Sequence, residues 1–178
     1  MTVRIRSARP TDIPQITAIY RPAVLSGTAS FEIEAPDENE MQRRYVTIAS
    51  AGFPYLVAET GDRVVGYAYA NAYRPRPAYR FTLEDSIYIA PDAHRQGVGS
   101  RLLDELIAIT TNAGYRQMIA IIGDSAQHAS IALHRRAGFH FSGTLHSVGY
   151  KHGRWLDGVI MQRALGAGDT TAPTEINR

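Results

Sequence analysis

The sequence predicts a mixed α/β domain, in which about four helices cover both faces of a twisted sheet of about seven strands. The order of the elements indicates this class, because strands precede a central helix that begins at Gly97, and a strand, a helix and two further strands follow it. The near-continuous apolar run at residues 118–122 supports it, since such a strand is typical of parallel pairing with cover on both faces. A chain of 178 residues is long enough to build one such domain around a proper core.

The first part of the chain predicts an edge strand and two helices. Apolar and polar residues alternate over residues 3–7, which is the pattern of a strand with one face on a core. A helix is expected to begin near Pro14 and to end by Gly27, because proline suits a first turn and glycine commonly follows a last one. A second helix is expected between Asp37, which can cap it, and Gly52.

The next segments predict a hairpin and the central strand. Residues 55–59 and 64–70 are rich in strand formers, and the glycine and aspartate at 61–62 favour a tight turn between them. Residues 86–89 have the same composition and are expected to form the central strand. Pro91 ends this strand, because proline has no N–H to donate to a neighbouring strand.

The second half of the chain predicts the remaining elements. Apolar residues recur at helical spacing from Gly97 to Gly114, with charged residues on the opposite side. One strand, one helix and two strands are expected after it, at residues 117–123, 129–136, 139–148 and 155–162. The single domain covers residues 1–165, and the tail at 166–178, rich in threonine, alanine and glycine, is expected to be flexible.

The composition excludes several classes of function. The net charge is only +2 and the basic residues are dispersed, so no nucleic acid is expected as a partner. There is no cysteine, which excludes disulfides, thiolate metal sites and a cysteine nucleophile. The longest apolar run is too short to span a bilayer, and the first residues lack the apolar core of a signal peptide. No membrane partner and a cytoplasmic location are therefore expected.

The connection from the central strand to the helix after it is the main functional signal. Two glycines, Gly97 and Gly99, stand where that helix is expected to start. A helix start presents unpaired backbone N–H groups at its positive end, and glycine lets an anion approach them closely. The pattern fits anion binding, although a tight turn alone would also need glycine here.

Three known phosphate-binding loops can be compared with this segment. The loop of nucleoside triphosphatases needs a lysine, and none follows Gly97 or Gly99. The dinucleotide fingerprint needs a third glycine, where this chain has Leu102. Residues 94–99, His-Arg-Gln-Gly-Val-Gly, instead resemble the pyrophosphate loop of the GNAT superfamily of N-acetyltransferases. His94 departs from that pattern, because the family usually has Gln or Arg there.

Two further stretches carry the same resemblance. Residues 130–139 resemble the fourth-helix signature of GNAT enzymes, which commonly ends in Gly-Phe. Residues 149–157 resemble the C-terminal hairpin of the subgroup that acetylates phosphinothricin and methionine sulfoximine. The resemblance runs from about residue 3 to residue 165, so it implies a GNAT-like fold for the whole domain.

The resemblance also implies a reaction and a co-substrate. GNAT enzymes move the acetyl group of acetyl-CoA directly to a primary amine, without a covalent enzyme intermediate or a metal. In the family, backbone groups of the central strand hold the pantetheine and the thioester, the glycine loop holds the pyrophosphate, and an Asn usually follows the next strand. The matching residues here are Ile87, Tyr88, Ile89, Arg95, Gln96, Gly97, Val98, Gly99, Ser100 and Gln127, the last of which replaces the usual Asn.

Acetyl transfer needs a base for the ammonium group and a proton for the leaving thiolate. Glu84 matches the carboxylate that the subgroup uses as general base, although Asp85 beside it leaves room for a shift of one residue. Strand alternation places Glu84 on the side of Ser86 and Tyr88, with Asp85 on the opposite side, and this favours Glu84. His134 stands where this subgroup has a histidine and many GNAT enzymes a tyrosine acid, so it is the candidate proton shuttle.

The loop before the central strand is the candidate substrate site. Residues 74–81 hold three arginines, two prolines and two aromatic residues, and arginine suits a carboxylate or phosphinate. By resemblance, Arg76 and Tyr79 match substrate-side residues, Arg74 is a plausible helper and Phe31 could shape the pocket. The subgroup acts on small amino-acid-like amines, and the family usually forms homodimers.

Plainer and rival interpretations stay open at this point. The arginine loop could be merely solvated, Glu84 could only pair with a nearby arginine, and His134 could be structural. The chain could acetylate a protein or peptide, or it could be an acetyl-CoA-binding sensor without catalysis. A metal site is not expected, because the histidines at 128, 134, 140, 146 and 152 do not form the close helical pairs that metal sites favour.

Overall fold

A computed structural model describes residues 3–176 and confirms the mixed α/β class. Residues 1 and 2 of the predicted domain and residues 177 and 178 of the predicted tail lie outside the described residues. Within residues 3–176, seven strands form one sheet: β1 (Arg4–Ser7), β2 (Tyr55–Thr60), β3 (Arg63–Ala72), β4 (Thr82–Ile89), β5 (Gln117–Gly123), β6 (His140–Lys151) and β7 (Arg154–Ala164). Four α-helices accompany the described strands: α1 (Ile13–Leu25), α2 (Glu38–Ser50), α3 (Val98–Asn112) and α4 (His128–Arg136).

The strands follow the order β1-β2-β3-β4-β5-β7-β6 in the sheet. The pair β4–β5 is parallel, and the other neighbouring pairs are antiparallel. The parallel pairing predicted from the apolar run is therefore confirmed on one side of β5, whereas β7 pairs with its other side in the antiparallel sense. The connection between the two parallel strands contains α3, as a crossover of this kind requires.

One part of the core lies between α3 and the sheet, and another part lies between α1 and the sheet. The apolar residues of α3 return every three or four positions, so a single stripe of this helix faces the strands. The fully enclosed side chains of this stripe are Val98, Leu102, Leu103 and Leu106. Burial of one such side chain contributes about 1.5–3 kcal/mol to folding, which makes α3 a rigid support for the strands beside it.

The two faces of β4 meet different helices. Tyr88 packs edge to face on Tyr20 of α1, with ring centroids 4.8 Å apart, so the face that also carries Glu84 is covered by α1. Asp85 lies on the opposite face, where its carboxylate contacts His134 of α4. The alternation predicted for Glu84 and Asp85 is confirmed.

The sheet opens between β4 and β5. Their paired residues run from Thr82 opposite Gln117 to Asp85 opposite Ala120, although β4 continues to Ile89 and β5 to Gly123. Beyond the last pair the two strands separate, and unpaired backbone groups line the gap. This gap positions the candidate site.

The strand predicted at residues 139–148 is longer in the structure. β6 continues through Gly149 to Lys151, because Gly149 pairs with Leu156. The register between β6 and β7 shifts before Gly149. In the tail, the Arg116 side chain donates hydrogen bonds to the carbonyl oxygens of Gly168 and Thr171, at 2.7 and 2.8 Å. The flexibility of the tail stays a prediction.

None of the helices within residues 3–176 combines the length and the apolar character that crossing a membrane requires.

Candidate active site

A cavity of about 420 Å³ occupies the gap between β4 and β5. Residues 84–88 of β4 form one wall and residues 120–123 of β5 the other. Residues 29–32 and α4 close the remaining sides, and α4 contributes His134. Six predicted site residues line this cavity: Phe31, Glu84, Ile87, Tyr88, Gln127 and His134.

Glu84 enters the cavity from the face that α1 covers. It stands opposite Asn71 of β3, and its side chain is partly buried. Burial raises the pKa of Glu84 above its ordinary value, and the negative charge of Asp85 raises it further, while Arg74 acts in the opposite direction. A carboxylate with a raised pKa is a stronger base, which is what proton removal from an amine requires.

His134 of α4 packs against the other face of β4, and both of its ring nitrogens make hydrogen bonds. Nδ1 lies 2.8 Å from the carbonyl oxygen of Ser130, one helical turn earlier, and Nε2 lies 3.0 Å from Oδ2 of Asp85. Burial by itself would lower the pKa of His134, but the hydrogen bond and charge of Asp85 and the Ser130 carbonyl together raise it above the ordinary value. His134 is therefore a candidate proton donor rather than a neutral ligand.

Sequence reasoning assigned no role to Asp85 beyond that of a possible substitute for Glu84. The structure shows that it is buried and paired with His134. Strand alternation already placed Asp85 opposite Glu84, but its partner is 49 residues away in the chain. Only the packing of α4 on β4 brings the two together.

Phe31 lines the cavity from the loop between α1 and α2. Its ring lies against two glycines, since a Cβ at Gly123 or Gly149 would come within 2.9 or 2.6 Å of a ring carbon. The loop that carries Phe31 is fixed by Lys151, whose ammonium group donates a 2.7 Å hydrogen bond to the Ser30 carbonyl oxygen. Only residues without a side chain allow the ring this position.

Gln127 also contacts the loop that carries Phe31. Its side-chain amide donates a 3.1 Å hydrogen bond to the hydroxyl of Thr28, and it lines the cavity immediately before α4. The predicted contact of this amide with acetyl-CoA stays a prediction.

The glycine loop forms an open backbone concavity at the start of α3. Arg95 and Gly97 have positive φ angles of 60° and 78°, and no side chain caps the first turn of the helix. Gly99 packs on Leu133 of α4, where a Cβ would come within 3.3 Å of that side chain. Left-handed residues before an uncapped helix start present several N–H groups in one direction, so this backbone fits a pyrophosphate.

His94 and Gln96, which flank this turn, bond to the loop itself. The His94 ring lies 3.1 Å from the carbonyl oxygen of Ile89, and the Gln96 amide donates to the carbonyl oxygen of Asp92 at 2.8 Å. The histidine that departs from the family pattern therefore holds the loop against the end of β4.

The arginine loop lies outside the cavity in a single chain. Tyr79 packs edge to face on Tyr73, with ring centroids 5.6 Å apart, and the Arg74 guanidinium lies 5.1 Å from the centroid of the same ring. Arg76 is exposed. The described lining of the cavity includes none of Arg74, Arg76 and Tyr79. The substrate-side group predicted from the sequence is thus brought together only in part.

The model of the Acetyltransferase (GNAT) family matches residues 15–139, which is more than half of the chain. The chain belongs to the GNAT acetyltransferase family. A phosphinothricin N-acetyltransferase of Alcaligenes faecalis is 57% identical to this GNAT protein over 169 residues, which cover 95% of this chain and 86% of that one. An L-methionine sulfoximine/L-methionine sulfone acetyltransferase of Pseudomonas aeruginosa is 41% identical over 91% of this chain and 94% of that one.

The fold of this GNAT protein agrees with that of a solved relative. The crystal structure of a phosphinothricin acetyltransferase from Sinorhizobium meliloti, in complex with acetyl-CoA, matches it with a TM-score of 0.94. The two are 49% identical, and the match covers 100% of each chain. The GNAT protein is an acetyl-CoA-dependent N-acetyltransferase, as the sequence predicts. Within residues 3–176, no three acidic, histidine or cysteine side chains gather closely enough to hold a metal ion.

Proposed function

We propose that this enzyme acetylates the primary amine of small amino-acid-like substrates, such as phosphinothricin and methionine sulfoximine or sulfone. The activities for which the two relatives are named support this substrate class. The observation that carries the proposal is the placement of Glu84 and His134 on opposite faces of β4, both in the wall of one cavity. A base and an acid on two sides of a reacting carbon are what amine acylation needs.

The reaction proceeds by direct transfer. Glu84 takes a proton from the bound ammonium group and passes it to solvent; the amine nitrogen then attacks the acetyl carbon of acetyl-CoA and loses its second proton to Glu84. The C–S bond breaks, its electron pair stays on sulfur, and His134 supplies the proton that converts the thiolate to a thiol. The Glu84 carboxylate in the cavity wall attracts the positive charge of the incoming amine.

The acetyl-CoA site extends from the cavity to the glycine loop. Backbone groups of Ile87, Tyr88 and Ile89 continue β4 past its last pairing with β5, so they are available to the pantetheine and the thioester. The loop at residues 95–100 receives the pyrophosphate through the N–H groups at the start of α3. Gln127 reaches the same ligand from the opposite wall.

The acceptor site involves Phe31 and the arginine loop. Phe31 contacts the acceptor, because its ring lines the cavity and is held against the two glycines beside it. Arg74, Arg76 and Tyr79 bind the carboxylate or phosphinate of the acceptor, as their charge and hydrogen-bonding groups allow. Arg74 acts on Glu84 within one chain, whereas Arg76 and Tyr79 are not part of the described cavity lining of their own chain. A second copy of the protein is therefore proposed to complete the acceptor site.

A homodimer is supported by an exposed apolar surface. Several large side chains of the β6–β7 hairpin face solvent, and Trp155 is 63% exposed. The exposed apolar residues of the hairpin are Phe141, Leu145, Val148, Tyr150 and Trp155. An apolar area of this kind on an edge strand marks a protein contact. Sedimentation equilibrium of the wild type should give twice the 19.6 kDa chain mass. A W155E variant that is monomeric and has lost affinity for the acceptor would support the shared site.

The experiment that tests the proposed function is a thiol-release assay with acetyl-CoA. The panel contains phosphinothricin, methionine sulfoximine, methionine sulfone, the common amino acids, spermidine and a peptide. Turnover confined to the amino acids and their analogues is expected. Turnover on the peptide alone would contradict the substrate class, and binding of acetyl-CoA without turnover of any amine would favour a sensor. The cytoplasmic location stays a prediction.

A further inference from the structure

Asp85 and His134 form an enclosed pair in the wall of the cavity. Their side chains are 1% and 3% exposed, and Nε2 of His134 lies 3.0 Å from Oδ2 of Asp85. A buried carboxylate is costly unless it is paired, so this contact is more than a surface ion pair. Oδ1 of Asp85 has no hydrogen-bond partner within residues 3–176, which leaves the imidazole as the group that compensates its charge.

The hydrogen bonds of His134 decide which nitrogen can exchange a proton. The Ser130 carbonyl oxygen can only accept, so Nδ1, at 2.8 Å from it, carries a hydrogen that is committed to the helix. Nε2 faces Asp85, which lines the cavity. The Phe139 ring stands perpendicular to the imidazole, with centroids 5.0 Å apart, and restricts its rotation. Nε2 is therefore the nitrogen through which His134 can act.

The charges around the imidazole come from few groups. Asp85 on β4 is the carboxylate in contact with it, and Glu84 lies on the far face of the same strand. From its own helix the ring receives the neutral Ser130 carbonyl, and the stretch after that helix contributes Phe139. The part of β5 that lines the cavity is apolar, at residues 120–123. Asp85 thus dominates the charge state of His134.

We propose that Asp85 is a positioning residue that keeps His134 in the imidazolium form and holds its Nε2–H at the wall of the cavity. This inference rests on the proposed acetyl transfer. For the transfer, the hydrogen bond from Nε2–H to Asp85 is exchanged for one to the thiolate sulfur. The Nε2–H bond then breaks as the S–H bond of the thiol forms, and His134 is left neutral with its hydrogen on Nδ1. Asp85 takes no proton from the substrate.

The role of Asp85 has a consequence for pH dependence. A buried imidazole without a carboxylate loses its proton more readily, because burial disfavours the charged form. With Asp85 present, His134 keeps its proton to higher pH, where a larger fraction of the acceptor amine is neutral and reactive. Asp85 therefore extends activity into the alkaline range.

Two measurements on D85N test this role, with D104N as a matched control at an exposed position of α3. The first follows the ring nitrogens of His134 by NMR as the pH is changed, and H134Q assigns its signals among the six histidines. His134 is expected to titrate above the ordinary value of about 6.5 in the wild type and D104N, and below it in D85N. An unchanged titration in D85N would overturn the proposal.

The second measurement compares kcat for methionine sulfone at two pH values. D85N is expected to lose about 10-fold in kcat near pH 8.5 and less near pH 6, where a larger fraction of its His134 is protonated. An equal loss at both pH values would indicate a merely structural role and overturn the proposal. If D85N does not fold, titration of wild-type His134 at or below about 6.5 overturns it.

The NMR titration and the measurement of turnover also distinguish a failure of this inference from a failure of the proposed function. A wild type that turns over no amine, while its His134 titrates at raised pH, would contradict the acetyl transfer proposed above but support the imidazolium pair. Normal turnover with a neutral His134 would leave the proposed function standing and overturn the role of Asp85.

Discussion

Glu84 and Asp85 are neighbours in the sequence and carry the same chemical group, yet the fold gives them opposite surroundings. Glu84 is partly buried on the face that α1 covers and lines the cavity. Asp85 is enclosed on the other face and is bound to His134. Burial raises the pKa of Glu84, whereas Asp85 has an imidazole partner. Strand alternation thus places two adjacent carboxylates on two faces, and the helices packed on those faces give them different tasks.

The largest effect is expected from E84Q, which removes the base and keeps the shape of the side chain. General-base catalysis contributes about 10²- to 10⁴-fold, so kcat for methionine sulfone should fall within that range. The affinity for acetyl-CoA, measured by calorimetry, should change by less than about 2-fold, because Glu84 is not part of the proposed pyrophosphate site. The control is E38Q, which neutralises an exposed glutamate in the first turn of α2. Equal kcat in E84Q and E38Q would assign the base elsewhere.

The acid side of the pH profile of kcat/KM tests the raised pKa of Glu84. Burial and Asp85 raise the pKa of Glu84 above the ordinary 4.5, so protonation inactivates the base as the pH falls through that raised value. The profile of kcat/KM in the wild type should therefore decrease on the acid side with an apparent pKa above 4.5. E84Q should lack this decrease. An acid limb that persists in E84Q would show that another group titrates.

A smaller effect on activity is expected from the loss of the Phe31 ring. F31A removes the ring that packs on Gly123 and Gly149, and KM for methionine sulfone should rise roughly 10-fold while kcat changes less. I33A is the matched control, because Ile33 lies in the same loop, is exposed and is not part of the described lining. A higher KM in both variants would point to the loop in general rather than to the ring.

The smallest effect concerns stability. The folded-state pKa of His134 is raised, so its pairing with Asp85 stabilises the fold fully below the unfolded-state pKa of about 6.5 and loses this effect as the pH rises through the folded value. Each unit of difference between the two pKa values corresponds to about 1.4 kcal/mol. Urea unfolding of H134Q should show a weaker decrease in the free energy of unfolding between neutral and alkaline pH. The same decrease in H134Q and wild type would contradict this.

Much of this arrangement could be predicted from the sequence because it is local. Strand alternation gave the faces of Glu84 and Asp85, helical spacing gave α3, and the two glycines marked its start. The contacts that were missed join distant parts of the chain. Lys151 binds the Ser30 carbonyl across 121 positions, and Asp85 meets His134 across 49. Such contacts depend on how helices and strands pack, which periodicity does not encode.

The exposed loop was predicted from its composition, but its place in the site was not. Arginine and tyrosine indicated anion recognition, whereas the described cavity of one chain is lined by carboxylates and excludes Arg76 and Tyr79. The composition of a loop indicates which ligands the loop can bind. It does not indicate whether the loop completes the site of its own chain or that of a second copy. This is why the acceptor site and the dimer are proposed together.

The most direct test of the two-faced arrangement is a crystal structure with CoA and methionine sulfone bound. The amine nitrogen is expected within about 3.5 Å of the Glu84 carboxylate, on the α1 side of β4. The CoA sulfur is expected on the side of His134. An amine nitrogen that contacts Asp85 instead, with Glu84 directed away from it, would contradict the account.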